Sequence, residues 1–373
     1  MMARPRRRPP RRRFDGAAVS ADLDSAALLE ARRVFERELS REVQLQVAQE
    51  IVVTRATELR LAYPNVVQVT FGHRRVRDGR ARRYRVVPTP CVRFLVARKW
   101  PKSHEKRVSG RIPRHLLAFC VVRGERRLCA VSTDVEDARV HQGVRGQGPA
   151  VAAIWDGTSE FGTLACAIQR DLFPDRIYGL SCRHVLSLSA KFFDETTWGA
   201  DVQVQTAARP VIGPTRAVAG PLAETGSFDA QLVEATNRPA LRTALGPVVP
   251  ARFARGVAEL PATYDIHTPS GMISAAFVDF RPDPTYEVGD HRIGHRMLVQ
   301  SQPEEGTNPG TSGSPVISKD GQILLGMHVA GKAELDSQRH FIAMSYMIPA
   351  WDLLDPRNYA NVSRQERWTL VTP

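Results

Sequence analysis

From residue 157 onward the chain shows no helical period. Short apolar runs alternate with Gly, Pro and Asp turns, a texture that antiparallel strands of a barrel or sandwich produce. Upstream the pattern is different. Leu39, Val43, Val47 and Ile51 fall at spacing four and continue through Val52, Ala56 and Leu59, one apolar stripe on a long helix. That helix is expected to start near Ser25, with Asp22 and Asp24 beside it, and to end before Pro64, because a residue preceding proline is pushed out of the helical region.

A chain of 373 residues that is 43% hydrophobic can bury a core and divide into two or three domains. After the helix, Val66–Phe71, Tyr84–Val87, Val92–Val96, Leu116–Val122 and Leu128–Val131 read as strands, with Arg77-Asp78-Gly79-Arg80 as a hairpin turn. The expected organisation is a basic tail over 1–21, an α+β accessory or regulatory domain over 22–139, a linker over 140–156, an all-β domain over 157–355, and a C-terminal tail over 356–373 that follows a short helix near Trp351–Leu354.

Charge is distributed unevenly. Residues 1–150 hold 33 Lys+Arg against 15 Asp+Glu, a net of +18, whereas residues 151–373 hold 19 against 24, a net of −5. The basic half suits a polyanion, a regulatory protein or the acidic half itself. No apolar run reaches the ~20 residues of a membrane-spanning helix, so no membrane partner is expected. The arginine-rich N-terminus lacks the apolar stretch of an export signal. Cys91, Cys120, Cys129, Cys166 and Cys182 contain no CxxC pair and read as buried thiols. A cytoplasmic location is expected.

Three segments carry the chemistry. YGLSCRHVLSLS places His184 after an apolar strand, GSFDAQLVEA places Asp229 at the start of one, and GTNPGTSGSPVIS places Ser312 in a glycine-flanked loop. Asp201, in GADVQV, competes with Asp229; spacing and the strand that follows favour Asp229. A serine hydroxyl becomes a nucleophile when a base takes its proton. Imidazole titrates near neutrality and can take and return it. A carboxylate on the far ring nitrogen fixes the tautomer and stabilises the imidazolium. Glycines around Ser312 allow a tight turn whose N–H groups, from Gly310 and Ser312, can meet an oxyanion. His291 and His295 stand four apart without a third ligand nearby, so no metal is expected.

These segments, in the order His, Asp, Ser, resemble trypsin/chymotrypsin-like serine peptidases, above all bacterial ones without a zymogen N-terminus. SCRHV stands where that family has Thr-Ala-Ala-His, FDAQLV where it has Asp followed by apolar residues, and GTSGSPV where it has Gly-Asp-Ser-Gly-Gly-Pro. FGTLACAI and GQILLGMHVAG are similar to the strands preceding the histidine and following the nucleophile. The resemblance spans about 157–355. It implies two six-stranded-type antiparallel β-barrels, so a mainly β fold behind an α+β module with one long helix. The implied activity is that of a serine endopeptidase acting on protein or peptide substrates through His184, Asp229 and Ser312, without cofactor. Thr311 replaces the family's Asp before the nucleophile, so activation by a newly cut N-terminus is not expected, and control falls to the N-terminal module, in a stress or defence setting. His328 is similar in place to a specificity-pocket histidine that contacts Glu or Gln at P1, and Glu304 and Glu305 would lie near the pocket floor. The competing class is a nucleic-acid- or partner-binding protein in which the barrels are an inactive scaffold.

Overall fold

The computed structural model describes residues 24–63, 65–78, 83–97, 112–137, 154–155, 161–186, 203–206, 208, 210–216, 221–222, 226–227, 229–247, 249–282, 285–288, 291–294, 297–307, 310–335, 341–359 and 362–373. The basic tail, nearly all of the expected linker, and Asp201 and His295 lie outside these residues.

The expected single helix is two. Helix α1 spans Ser25–Arg33 and runs into a π-helical turn, Val34–Glu38; α2 then spans Arg41–Ala62. The break falls where a second N-cap, Ser40, competes with the stripe. Asp24 caps α1 by accepting from Ala27 N–H at 2.7 Å, and Ser40 caps α2 by accepting from Val43 N–H. The interruption frees carbonyls, and the buried Gln44 amide donates to two of them, Phe35 at 2.7 Å and Leu39 at 3.1 Å. The stripe residues Leu39, Val47, Ile51, Val52 and Leu59 are buried, as expected.

Four strands follow: β1, Val66–Asp78; β2, Arg83–Val96; β3, His115–Val122; β4, Glu125–Asp137. The runs read from sequence as two strands, at 84–87 and 92–96, are one strand that continues through Pro88 and Pro90.

The acidic half is mainly β, as expected. Six strands close a ring in which every neighbour is antiparallel: Thr263–Thr268, Gly271–Pro282, Met297–Pro303, Phe341–Pro349, Ile323–Leu335, Pro315–Ser318 and back to the first. A second sheet holds Cys166–Arg170, Phe173–Ser181, Gln231–Glu234, Val211–Arg216, Gln203–Thr206, Ile154–Trp155 and Phe161–Gly162. Its outer edge is Trp368–Leu370, which pairs with Ile168–Arg170. The expected C-terminal tail therefore contributes a strand. Burial of Trp368 and a two-point ion pair from Arg170 to Glu366, at 2.5 and 3.0 Å, hold it in place.

The basic half does not stop at a core boundary. β1 pairs with the ring strand Gly271–Pro282 at Phe71↔Phe280, and the two rings stack with centroids 4.6 Å apart. Val34, Phe35, Leu45, Phe71 and Phe94 share one apolar cluster with Tyr264, Phe277, Phe280 and Met347 of the ring. Beside it runs a buried ionic network. Arg93 pairs with Asp279 and Glu136, Arg75 bonds Glu136 at 2.7 Å, and Arg281 bonds both Asp279 at 3.0 Å and the Gln300 side-chain amide oxygen at 2.5 Å. Such charges tolerate burial because each has a partner. The five cysteines are all buried and unbridged. Among the described residues, no helix is long and apolar enough to cross a membrane.

Candidate active site

The strand Phe173–Ser181 delivers Cys182 and then a single helical turn, Arg183–Leu186, that carries His184. Asp229 enters just ahead of the neighbouring strand, Gln231–Glu234, which pairs with Phe173–Ser181. The two residues meet twice: His184 Nδ1 lies 2.7 Å from one carboxylate oxygen of Asp229, and the His184 backbone N–H donates to the other at 3.0 Å. Asp229 is buried, whereas the imidazole keeps partial access to solvent. A carboxylate bonded to both ring and backbone sets the ring's orientation and leaves Nε2 for another partner. The Arg183 side chain is also buried, which lowers its pKa to about 10 against the opposing pull of Asp229.

Ser312 sits in a turn that enters the ring strand Pro315–Ser318. Gly310 and Gly313 flank it at φ +87° and +90°, a backbone region that favours glycine. A Cβ at position 313 would also collide with the Thr163 carbonyl oxygen. The Ser312 hydroxyl donates to the Val329 carbonyl at 3.2 Å. Ser314, the other serine of the segment, is buried. The histidine and serine segments converge on one atom. Cys182 Sγ donates to the His328 carbonyl at 3.5 Å, and the Gly313 N–H donates to it at 2.8 Å.

His328 is buried on the strand Ile323–Leu335, with Nδ1 at 2.8 Å from the Ser345 hydroxyl. Burial, helped by the nearby His184, holds its pKa down to about 3, so the ring is neutral. Glu304 and Glu305 are exposed, and the buried side chain that follows them is Thr307. A Cβ at Gly331 would collide with the Thr307 hydroxyl and lie 3.4 Å from His328 Cε1. Thr307, Ser345 and His328 thus gather around one backbone position. Sequence reasoning missed Thr307 and Ser345, since a lone Thr or Ser near a strand carries no signal of its own.

Cys182 Sγ, His184 and Asp229 place their potential ligand atoms within 4.8 Å of one another. Burial and the Asp229 charge raise the Cys182 thiol well above its ordinary value, so it stays a protonated donor. The thiol donates to the His328 carbonyl behind the His184–Asp229 pair.

No protein-family model matches the chain, and no curated protein does. Among solved structures it is similar to Thermobifida fusca Protease A, at 12% identity and a TM-score of 0.38, over 60% of this chain and 100% of that one. It is also similar to a glutamic-acid-specific serine protease described as using a histidine triad in substrate binding, at 15% identity and a TM-score of 0.35, over 57% of this chain and 98% of that one. A serine endoprotease from Yersinia pestis is similar at 16% identity and a TM-score of 0.27, over 54% and 58% of the two chains.

Proposed function

We propose that this chain is a serine endopeptidase. The observation that carries the reading is the doubly bonded His184–Asp229 pair, set with the glycine-flanked Ser312 turn around the His328 carbonyl. In the reaction, the Ser312 oxygen attacks a peptide carbonyl carbon while His184 Nε2 accepts the hydroxyl proton. The carbonyl becomes an oxyanion facing the N–H groups of Gly310 and Ser312. When the C–N bond breaks, the imidazolium gives its proton to the leaving amine. Water, deprotonated by the same imidazole, then releases the acyl group and restores the hydroxyl. Asp229 keeps its charge throughout and stabilises the imidazolium.

For the P1 pocket, neutral His328 with the Thr307 hydroxyl offers hydrogen bonds without a formal charge. This favours a P1 side chain with an acceptor oxygen, Gln or Glu. The exposed Glu304 and Glu305 are the alternative, for a basic P1 residue. The basic half is proposed to buttress or regulate the ring that carries Ser312, within a cytoplasmic protein.

The test is labelling with a fluorophosphonate probe, with the modified residue mapped by mass spectrometry. Modification of Ser312, lost in Ser312→Ala, is the expected result. Absence of labelling on folded protein, together with no turnover of any member of a P1-varied peptide library, would overturn the reading.

A further inference from the structure

Thr163 lies between two strands, after Phe161–Gly162 and before Cys166–Arg170, and is buried. Four of its features bear on the Ser312 turn. Its backbone N–H donates to the Ser312 carbonyl at 2.8 Å. Its hydroxyl donates to the Gly310 carbonyl at 3.1 Å. Its own carbonyl oxygen occupies the space that a Cβ at Gly313 would need. That same oxygen accepts the Ser181 hydroxyl at 2.6 Å, which ties it to the strand that delivers His184.

Gly310 and Ser312 are the two residues whose N–H groups are proposed to meet the oxyanion. One residue from the other sheet therefore holds the carbonyls of both. At φ +87°, Gly310 has a backbone freedom that other residues lack. Its ψ, and so the relative direction of the N–H groups at 310 and 312, is set by where its carbonyl is held. Oxyanion donors act through being fixed before charge develops.

We infer that Thr163 is a positioning residue for the oxyanion-binding turn, its hydroxyl fixing the Gly310 carbonyl and its N–H the Ser312 carbonyl, so that the sheet carrying His184 and Asp229 also sets the donors around Ser312. This rests on the serine-hydrolase reading. It adds a residue that acts through Gly310 without touching substrate.

The experiment compares Thr163→Val, which keeps shape and backbone N–H but lacks the hydroxyl, with Thr163→Ser, which restores it. Thr163→Ala replaces the valine variant if the latter does not fold. Loss of the hydroxyl should lower kcat by about tenfold or more, since removing a whole oxyanion donor costs ~10²- to 10³-fold. KM should move by less than roughly twofold, the signature of an interaction made in the transition state. Affinity for a peptide boronate, a tetrahedral mimic, should fall in step with kcat, and the serine variant should recover both. A crystal structure of the hydroxyl-free variant should show the Gly310 carbonyl turned away from its wild-type direction. An unmoved carbonyl, an unchanged kcat, or a loss that serine does not rescue would overturn the inference. Failure of the wild-type protein to turn over peptides or react with the fluorophosphonate would instead sink the hydrolase reading, and the carbonyl orientation would still decide whether Thr163 clamps the turn.

Discussion

Cys182 and Gly313 donate to the same oxygen, the carbonyl of His328, at 3.5 and 2.8 Å. Cys182 stands two residues before His184 and Gly313 one residue after Ser312. A strand that belongs to the closed ring therefore spaces the His184 segment from the Ser312 segment. Replacing Ser312 with Ala removes an oxygen whose one described bond is to the Val329 carbonyl. Stability should be almost unchanged, while peptide turnover falls by about 10⁶. Thermal unfolding and peptide hydrolysis on the same sample check both halves, and retained activity in Ser312→Ala with loss in Ser314→Ala would move the nucleophile.

Asp229→Asn should lower kcat by roughly 10⁴, because an amide can present N–H to Nδ1 and so favour the wrong imidazole tautomer. The other carboxylate oxygen accepts the His184 backbone N–H, and an amide oxygen can still do so. The helical turn should survive, which a crystal structure of the variant would show. A fall of less than roughly tenfold would indicate that the pair does not orient the base.

Selectivity at P1 should not depend on protonation of His328. Its pKa lies near 3, so between about pH 5 and 9 the ring is neutral throughout. The preference for Gln or Glu over Leu should hold across that range and be lost in His328→Ala. A peptide library profiled at pH 5.5 and 8.5 measures this, and a wild-type preference for Arg or Lys would move the pocket to Glu304 or Glu305.

His73 is buried beneath α2. Nδ1 lies 3.0 Å from the Phe277 carbonyl, and Nε2 faces the Arg41 guanidinium at 3.2 and 3.3 Å. Burial, then the Arg41 charge, lower its pKa to about 3. With His328, two histidines stay neutral in the folded chain that would take up protons near pH 6.5 once unfolded. The unfolded state binds more protons, so stability rises with pH. The contribution is complete above about pH 6.5 and is lost as pH falls toward 3, at roughly 1 kcal/mol per pH unit for each histidine. Urea unfolding at pH 4.5 and 7.5 should show a smaller pH effect in His73→Gln than in wild type, and an equal effect would sink the assignment.

Asp279 is fully buried between Arg93 and Arg281. Asp279→Ala leaves buried Arg93 with Glu136 alone and removes the carboxylate beside Arg281, and should cost about 3–5 kcal/mol. Urea midpoints read the loss, and a change under ~1 kcal/mol would mean that the network is not desolvated as the geometry implies.

The sequence makes the chemistry at the site more legible than its support. His184, Asp229 and Ser312 each stand in a segment with its own glycine or strand signature, so the expectation could be stated residue by residue. The α2 stripe and the mainly β texture are local periods, legible for the same reason. The Ser40 break was hidden because Leu39 continues the stripe through it, and caps outweigh the stripe only where Gln44 can reach the freed carbonyls. The contact between Phe71 and Phe280 has no local period at all. Nothing near residue 71 states that its face belongs to a ring strand far along the chain, so the basic half read as a separate domain.

Thr70 on β1 bonds Asp279, 209 positions further along the chain, at 3.4 Å. A ribosome makes the chain from its N-terminus, so α2, β1 and β2 emerge long before the strands that cover them. Until then Phe71 lacks Phe280 and Arg93 lacks Asp279, and the nascent basic half must wait in an unfinished state. Closure of these contacts comes late and spans most of the chain, which makes folding slow and exposes it to aggregation. A product cut short before the Gly271–Pro282 strand would be left with an unsatisfied face, the kind of surface that chaperones and quality-control proteases recognise.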